Sequence, residues 1–138
     1  MPILIALIAI AAASSAQPAR DGASIDGNWT SPSGNVVVTI APCGSAMCGR
    51  VSWASDRAKA DARQGGTDPL IGTELMTDFT ARSDGRWKGR LFVPDLNRRS
   101  RAELRLVDAD RIKISGCMVG RILCKSQLWV RSTGDAAP

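Results

Sequence analysis

An all-β, single-domain, up-and-down antiparallel barrel of about eight strands is the fold this sequence predicts. Three observations carry it. Short β-branched or alternating runs recur through the chain, turn signals separate many of them by 8–12 residues, and helix signals are few. The chain has 138 residues, 44% hydrophobic, which suits one core rather than two. Closure removes the exposed edges that an open sheet of seven or eight short strands would leave.

Gly27-Asn28-Trp29 opens the first strand. After a turn at Ser33-Gly34, residues 35–40 are β-branched beyond their first position, and Pro42 is expected to stop that strand. A turn at Cys43-Gly44 leads to an alternating run over residues 50–53. Residues 54–67 are polar and glycine-rich. A short helix over residues 55–63 is one reading, but a long loop is the expectation. Past the turn Ser83-Asp84-Gly85, residues 87–93 alternate around Gly89 and end at Pro94. The turn at residues 95–97 precedes the cleanest period-two segment, residues 100–107. There Ala102, Leu104 and Leu106 share one face, and Arg101, Glu103 and Arg105 the other. Residues 108–111 form a turn, 112–115 a strand, Gly120-Arg121 a turn, and 126–131 the closing strand.

The chain ends suggest a location. Residues 3–13 are an uncharged apolar run, followed by Ser14-Ser15-Ala16 with small residues where a signal peptidase reads. The run is shorter than the ~20 residues a membrane span needs. Residues 1–16 therefore read as a signal peptide, although no Lys or Arg precedes the apolar run, and a buried N-terminal segment is the rival reading. Cleavage of 16 residues from 138 leaves 122, with a flexible start over residues 17–25, a barrel over 26–132 and a disordered tail over 133–138. The expected location is periplasmic or secreted, and no membrane span is expected.

In an oxidising compartment the four cysteines read as disulfides. Three connectivities exist. A hairpin turning at Gly120-Arg121 sets Cys117 opposite Cys124, and one turning at Ser45-Ala46 sets Cys43 opposite Cys48. Two local bridges fit best, and a pairing between the two hairpins is the rival. Zinc is a weak alternative, because neither spacing is a C-x2-C knuckle.

Composition excludes much chemistry. The chain has no His and no Tyr, so a Ser-His-Asp or Cys-His nucleophile system and a His-ligated metal are ruled out. Asp68 and Asp95, beside Pro69 and Pro94, admit acid–base or calcium chemistry. Turn chemistry explains them more simply. No enzyme activity, cofactor or metal is expected. The net charge of +5 is uneven. Residues 17–81 hold five Lys/Arg and seven Asp/Glu, whereas residues 82–131 hold thirteen and five. Arg98, Arg99 and Arg101, with Arg90 and Arg105, form a candidate patch for anionic lipid or an acidic protein, against a reading as ordinary solvated charge. Nucleic acid is not expected, since the aromatics do not interleave with these cations.

Gly27-x-Trp29 with Arg131 on the closing strand resembles the signature of the lipocalin-like (calycin) barrels. That resemblance implies that the Arg stacks over the Trp and plugs one end. The order Gly27-x-Trp29, Pro42-Cys43-Gly44, Cys48-Gly49-Arg50-Val51-x-Trp53, Asp68-Pro69, Gly85-x-Trp87-x-Gly89, Pro94-Asp95, Gly116-Cys117 and Ser126-Gln127-x-Trp129-x-Arg131 resembles the bacterial family known as domain of unknown function 2147. Where that family's pattern has Gly-Lys-Thr-Tyr, this chain reads Leu96 to Arg101 without either Gly or Tyr. The resemblance implies a small exported protein with a lipocalin-like barrel. Trp29, Trp53, Trp87, Trp129 and Arg131 are then the candidate pocket or plug residues. Two functions follow. The first is an exported, non-enzymatic protein holding a small apolar or amphipathic ligand in its barrel. The second is an envelope interaction or inhibitor protein, its barrel filled, that meets an anionic partner through the basic second half.

Overall fold

Alternation of buried and exposed positions dictates the architecture, because each strand must turn one face inward. The computed structural model describes residues 24–118 and 123–132. Eight strands and one helix follow in order: β1 (Gly27–Thr30), β2 (Val36–Cys43), β3 (Ala46–Ala54), α1 (Asp56–Gln64), β4 (Glu74–Ala81), β5 (Arg86–Val93), β6 (Arg98–Asp108), β7 (Arg111–Met118) and β8 (Leu123–Arg131). Each strand pairs antiparallel with its successor, and β8 pairs with β1, so the sheet is a closed up-and-down barrel. The expected signal peptide and tail, most of the expected N-terminal lead-in and the expected Gly120-Arg121 turn lie outside the described residues.

This topology sends the start of β1, the end of β8 and the β2–β3, β4–β5 and β6–β7 turns to one end of the barrel. The β1–β2 loop, the α1 segment and the β5–β6 turn lie at the other. The interior near the first end is filled by Trp29, Val38, Ile40, Met47, Phe79, Leu104 and Ile112, all buried. Phe79 lies over Gly89, where an added β-carbon would come within 2.6 Å of the ring, so only glycine fits that inward position.

Three expectations need correction. The long loop expected over residues 54–67 contains α1. Ser55 caps it by accepting from the Ala58 amide, Asp56 and Arg63 suit the helix dipole, and Ala58 and Ala62 bury one narrow face. Pro42 does not stop β2, which runs to Cys43. β1 starts at Gly27, opposite Ile40, so no neighbour on that side needs the amide that Pro42 lacks. The β2–β3 hairpin also turns one residue earlier than expected. Cys43 stands opposite Ala46, and Cys48 opposite Ala41. The Cys43–Cys48 disulfide is therefore diagonal, with its Cα atoms 5.8 Å apart. Cys117 and Cys124 do stand directly opposite and are bridged. Both disulfides are local, and each staples one hairpin.

Candidate functional site

Two contrasting ends define the site. At the closed end, Trp29 is fully buried and its indole N–H donates to the Ile25 carbonyl at 2.8 Å. The Arg131 guanidinium lies 4.3 Å from the centre of the Trp29 ring. It donates to the carbonyls of Ala109 at 2.9 Å, Asp26 at 2.9 Å and Ser24 at 3.1 Å. The planar fork thus ties the N-terminal segment, the β6–β7 turn and β8 together while covering the aromatic ring. Gly27 is required here: its φ is +128°, and a β-carbon would sit 2.5 Å from Arg131 Nη1.

The other end is hollow. A cavity of about 700 Å³ opens there, its apolar wall including Leu75, Leu91, Ile114 and Trp129. Gly116 leaves part of the room. By register Gly89, Ala102, Gly116 and Lys125 form one cross-strand row on the inner face of β5–β8. An added β-carbon at Gly116 would meet nothing closer than 3.4 Å, so its inward side is open. The polar lining comes in two groups: Ser31, Ser33, Asn35, Asp61 and Asp95 from the β1–β2 loop, α1 and the β5–β6 turn, and Ser100, Lys125 and Gln127 from β6 and β8. The Trp129 indole donates to Gln127 Oε1 at 3.1 Å, so the amide nitrogen of Gln127 is left as a donor for a guest.

α1 forms part of the rim. Its N-cap residue Ser55 donates its amide to the Asn35 carbonyl in the β1–β2 loop. Its far end meets the β5–β6 turn, where a β-carbon on Gly65 would collide with the Pro94 carbonyl oxygen at 2.2 Å. Ala58 and Asp61 on the helix, and Asp95 on the turn, all line the cavity. Partial burial, reinforced by the Asp61 charge, raises the Asp95 carboxyl above its ordinary value, although its own backbone amide acts in the other direction. The carboxylate that acts on Asp95 is thus Asp61. Asp68 lies apart from the cavity wall, ahead of a cis bond to Pro69.

Of the candidate pocket and plug residues, only Trp129 lines the cavity, joined by Asp95 from the carboxylate candidates. Trp29 and Arg131 form the closed end. Trp87 packs half-buried against the core, paired with Leu104, and Trp53 is half-buried on β3. Among the basic candidates, Arg90, Arg99, Arg101 and Arg105 fall on the outer face by alternation with the buried Ala102 and Leu104. Arg98 alternates to the inner side at the rim. Arg99 lies over the Phe92 ring at 4.7 Å. The sequence reading missed Ser100, Lys125, Gln127 and Gly116 as cavity residues. Gly116, inside a strand, was the available signal. Cys43, Cys48 and Glu74 bring ligand atoms within 4.8 Å of one another, but both sulfurs are held in a disulfide and are not thiolates.

Comparison with known proteins places this geometry. No curated protein matches the chain. Among solved structures, protein HP1028 from Helicobacter pylori, described as belonging to the lipocalin family, is similar with a TM-score of 0.62. It shares 9% sequence identity, and the match covers 81% of this chain and 85% of that one. At that identity the likeness is one of fold, and it makes the barrel lipocalin-like. The sequence profile of a family described as an uncharacterised protein conserved in bacteria (DUF2147) matches residues 27–131, so the chain belongs to that family.

Proposed function

We propose that this protein is an exported, non-enzymatic binding protein that holds a small apolar or amphipathic ligand in the open half of its barrel. The observation that carries this reading is the cavity of about 700 Å³, apolar along most of its wall and closed off below by packed side chains. That volume falls in the range of small-molecule sites, and such sites are mostly apolar with a few placed polar groups. The apolar tail of the ligand lies against Leu75, Leu91, Ile114 and Trp129. Its polar end meets Lys125, Ser100 and the Gln127 amide. Export is supported by the apolar leader pattern over residues 3–16 and by two disulfides, which persist in oxidising compartments. Among the described residues no helix is long and apolar enough to cross a membrane.

The test is a thermal-shift and native mass-spectrometry screen with fatty acids, lysolipids and porphyrins, run on the protein and on Gly116→Phe. The β-carbon at residue 116 has room, and Gly116 lines the cavity, so a ring there takes up space a guest would use. A hit on the wild type should weaken by at least roughly tenfold in Gly116→Phe, the order expected when an apolar contact of more than about 1.4 kcal/mol is lost. The fold should survive, since strands favour aromatic residues over glycine. Absence of any hit, or equal binding by the variant, defeats the reading.

A further inference from the structure

The outer wall of β5–β8 carries a second surface, independent of the cavity. Arg86 on β5 stands opposite Arg105 on β6, Arg105 opposite Lys113 on β7, and Lys113 opposite Leu128 on β8. All four are exposed. Like charges directly opposed across strands are unfavourable, and three cations share this one row. Glu103 engages Arg86 at 3.0 Å, with Asp84 adding a longer contact to the same guanidinium. Neither Arg105 nor Lys113 makes an ion pair among the described residues. Both border a shallow cleft of about 180 Å³ with Arg86, Glu103 and Ser115. Two rows away on the same face, beyond the Lys88–Glu103–Ser115 row, Arg90 faces Arg101.

The same wall exposes aliphatic side chains. Val107, Leu128 and Val130 are 46%, 40% and 47% exposed, and they are three of the five large hydrophobics exposed among the described residues. Leu128 is in register with Lys113, and Val130 with Arg111. An acidic peptide would satisfy the cations but gives no reason for aliphatic side chains among them. An anionic bilayer satisfies both. Its phosphates neutralise the opposed cations, and its interfacial region takes up short apolar side chains.

We infer that the outer face of β6–β8, centred on Arg105, Lys113, Leu128 and Val130, docks on the surface of a membrane bearing anionic phospholipid. The protein would sit on that surface without spanning it. The docked face is a side wall, so the cavity mouth stays open while the protein is on the surface.

Co-sedimentation of the disulfide-intact protein with vesicles tests this. One set is phosphatidylcholine mixed with phosphatidylglycerol, and the other is phosphatidylcholine alone. Binding is expected only to the anionic vesicles and should fall as NaCl is raised. Each surface cation is worth roughly fivefold in partitioning, so Arg105→Gln with Lys113→Gln should lose roughly 25-fold. Leu128→Ser with Val130→Ser should weaken binding without changing its salt slope. Neutralising opposed cations relieves repulsion, so the first pair should melt no lower than wild type. The single Lys113→Gln variant, expected to lose roughly fivefold, repeats the test with a smaller perturbation. Equal binding to neutral vesicles, as an apolar leader alone would give, overturns the inference. So does full binding by the charge variants, or no binding to either vesicle. Capture by soluble polyglutamate without vesicle binding would assign the face to an acidic protein and would likewise overturn it.

Discussion

The two ends of this barrel are built from the same strands yet resolve opposite problems. At the closed end every polar group with a stake in the plug is satisfied. The Trp29 indole has a carbonyl, the three Arg131 nitrogens have three more, and Gly27 makes room for them. At the open end Gly116 leaves its inward side clear, and a space of about 700 Å³ remains. A close-packed interior gains dispersion and transfer energy from every atom, so an empty half is a stability cost that the filled half must offset. The comparison teaches that stability and a ligand space are segregated along the barrel axis. Substitutions at the floor should act on folding, and those at the mouth on binding.

The largest effect should come from Trp29→Ala. It removes a fully buried indole and the ring beneath Arg131, and an aromatic truncation of this kind costs about 3–5 kcal/mol. Urea unfolding measures it, and a loss under about 1 kcal/mol would show that the closed end is not the stabilising half. Arg131→Lys is the next step down. The charge remains, but one ammonium cannot reach three carbonyls in fork geometry. Two lost hydrogen bonds should lower stability by about 2 kcal/mol. Neither prediction depends on a ligand, so both can be checked on the isolated protein.

How much of this contrast the sequence displays depends on the periodicity of each part. The closed end was legible because Gly27-x-Trp29 and Arg131 lie at the two ends of the barrel chain and resemble a known plug. β6 was legible because its alternation is unbroken from Ser100 to Leu106. β4 was not read as a strand. Leu75 and Met76 are buried in succession, the pairing shifts between Thr77 and Thr80, and Asp78 takes φ +57°. A bulge of this kind erases the period of two on which strand reading relies. α1 was missed because Ala58 and Ala62 are weak hydrophobic signals in a charged segment, although the Ser55 cap was visible. Tryptophans drew attention toward the pocket, yet three of the four do not line it. The open side of Gly116 is a better mark of the hollow, and it becomes informative only once the register places it on the inner face.

The smallest predicted effect probes the rim. The Asp95 carboxyl is held above its ordinary value of 3.8, first by partial burial and then by the Asp61 charge across the contact between α1 and the β5–β6 turn. A folded state with the higher value binds its proton more tightly than the unfolded chain does. The contribution of Asp95 is therefore most favourable at low pH and is lost as pH rises through the folded value. At neutral pH the ionised group is a small liability. Asp95→Asn keeps an amide suited to the turn and removes the charge. It should raise stability at pH 7 by less than about 1 kcal/mol, a figure limited by solvent screening at this partly exposed site. It should also flatten the pH dependence of melting just above pH 3.8. Asp61→Asn should reproduce part of that flattening, because it removes only the second cause. The same two substitutions leave the closed end untouched. If Asp95→Asn instead destabilised the protein at pH 7, the carboxylate would be stabilising the rim. The contrast between a satisfied floor and a strained mouth would then fail at its weakest point.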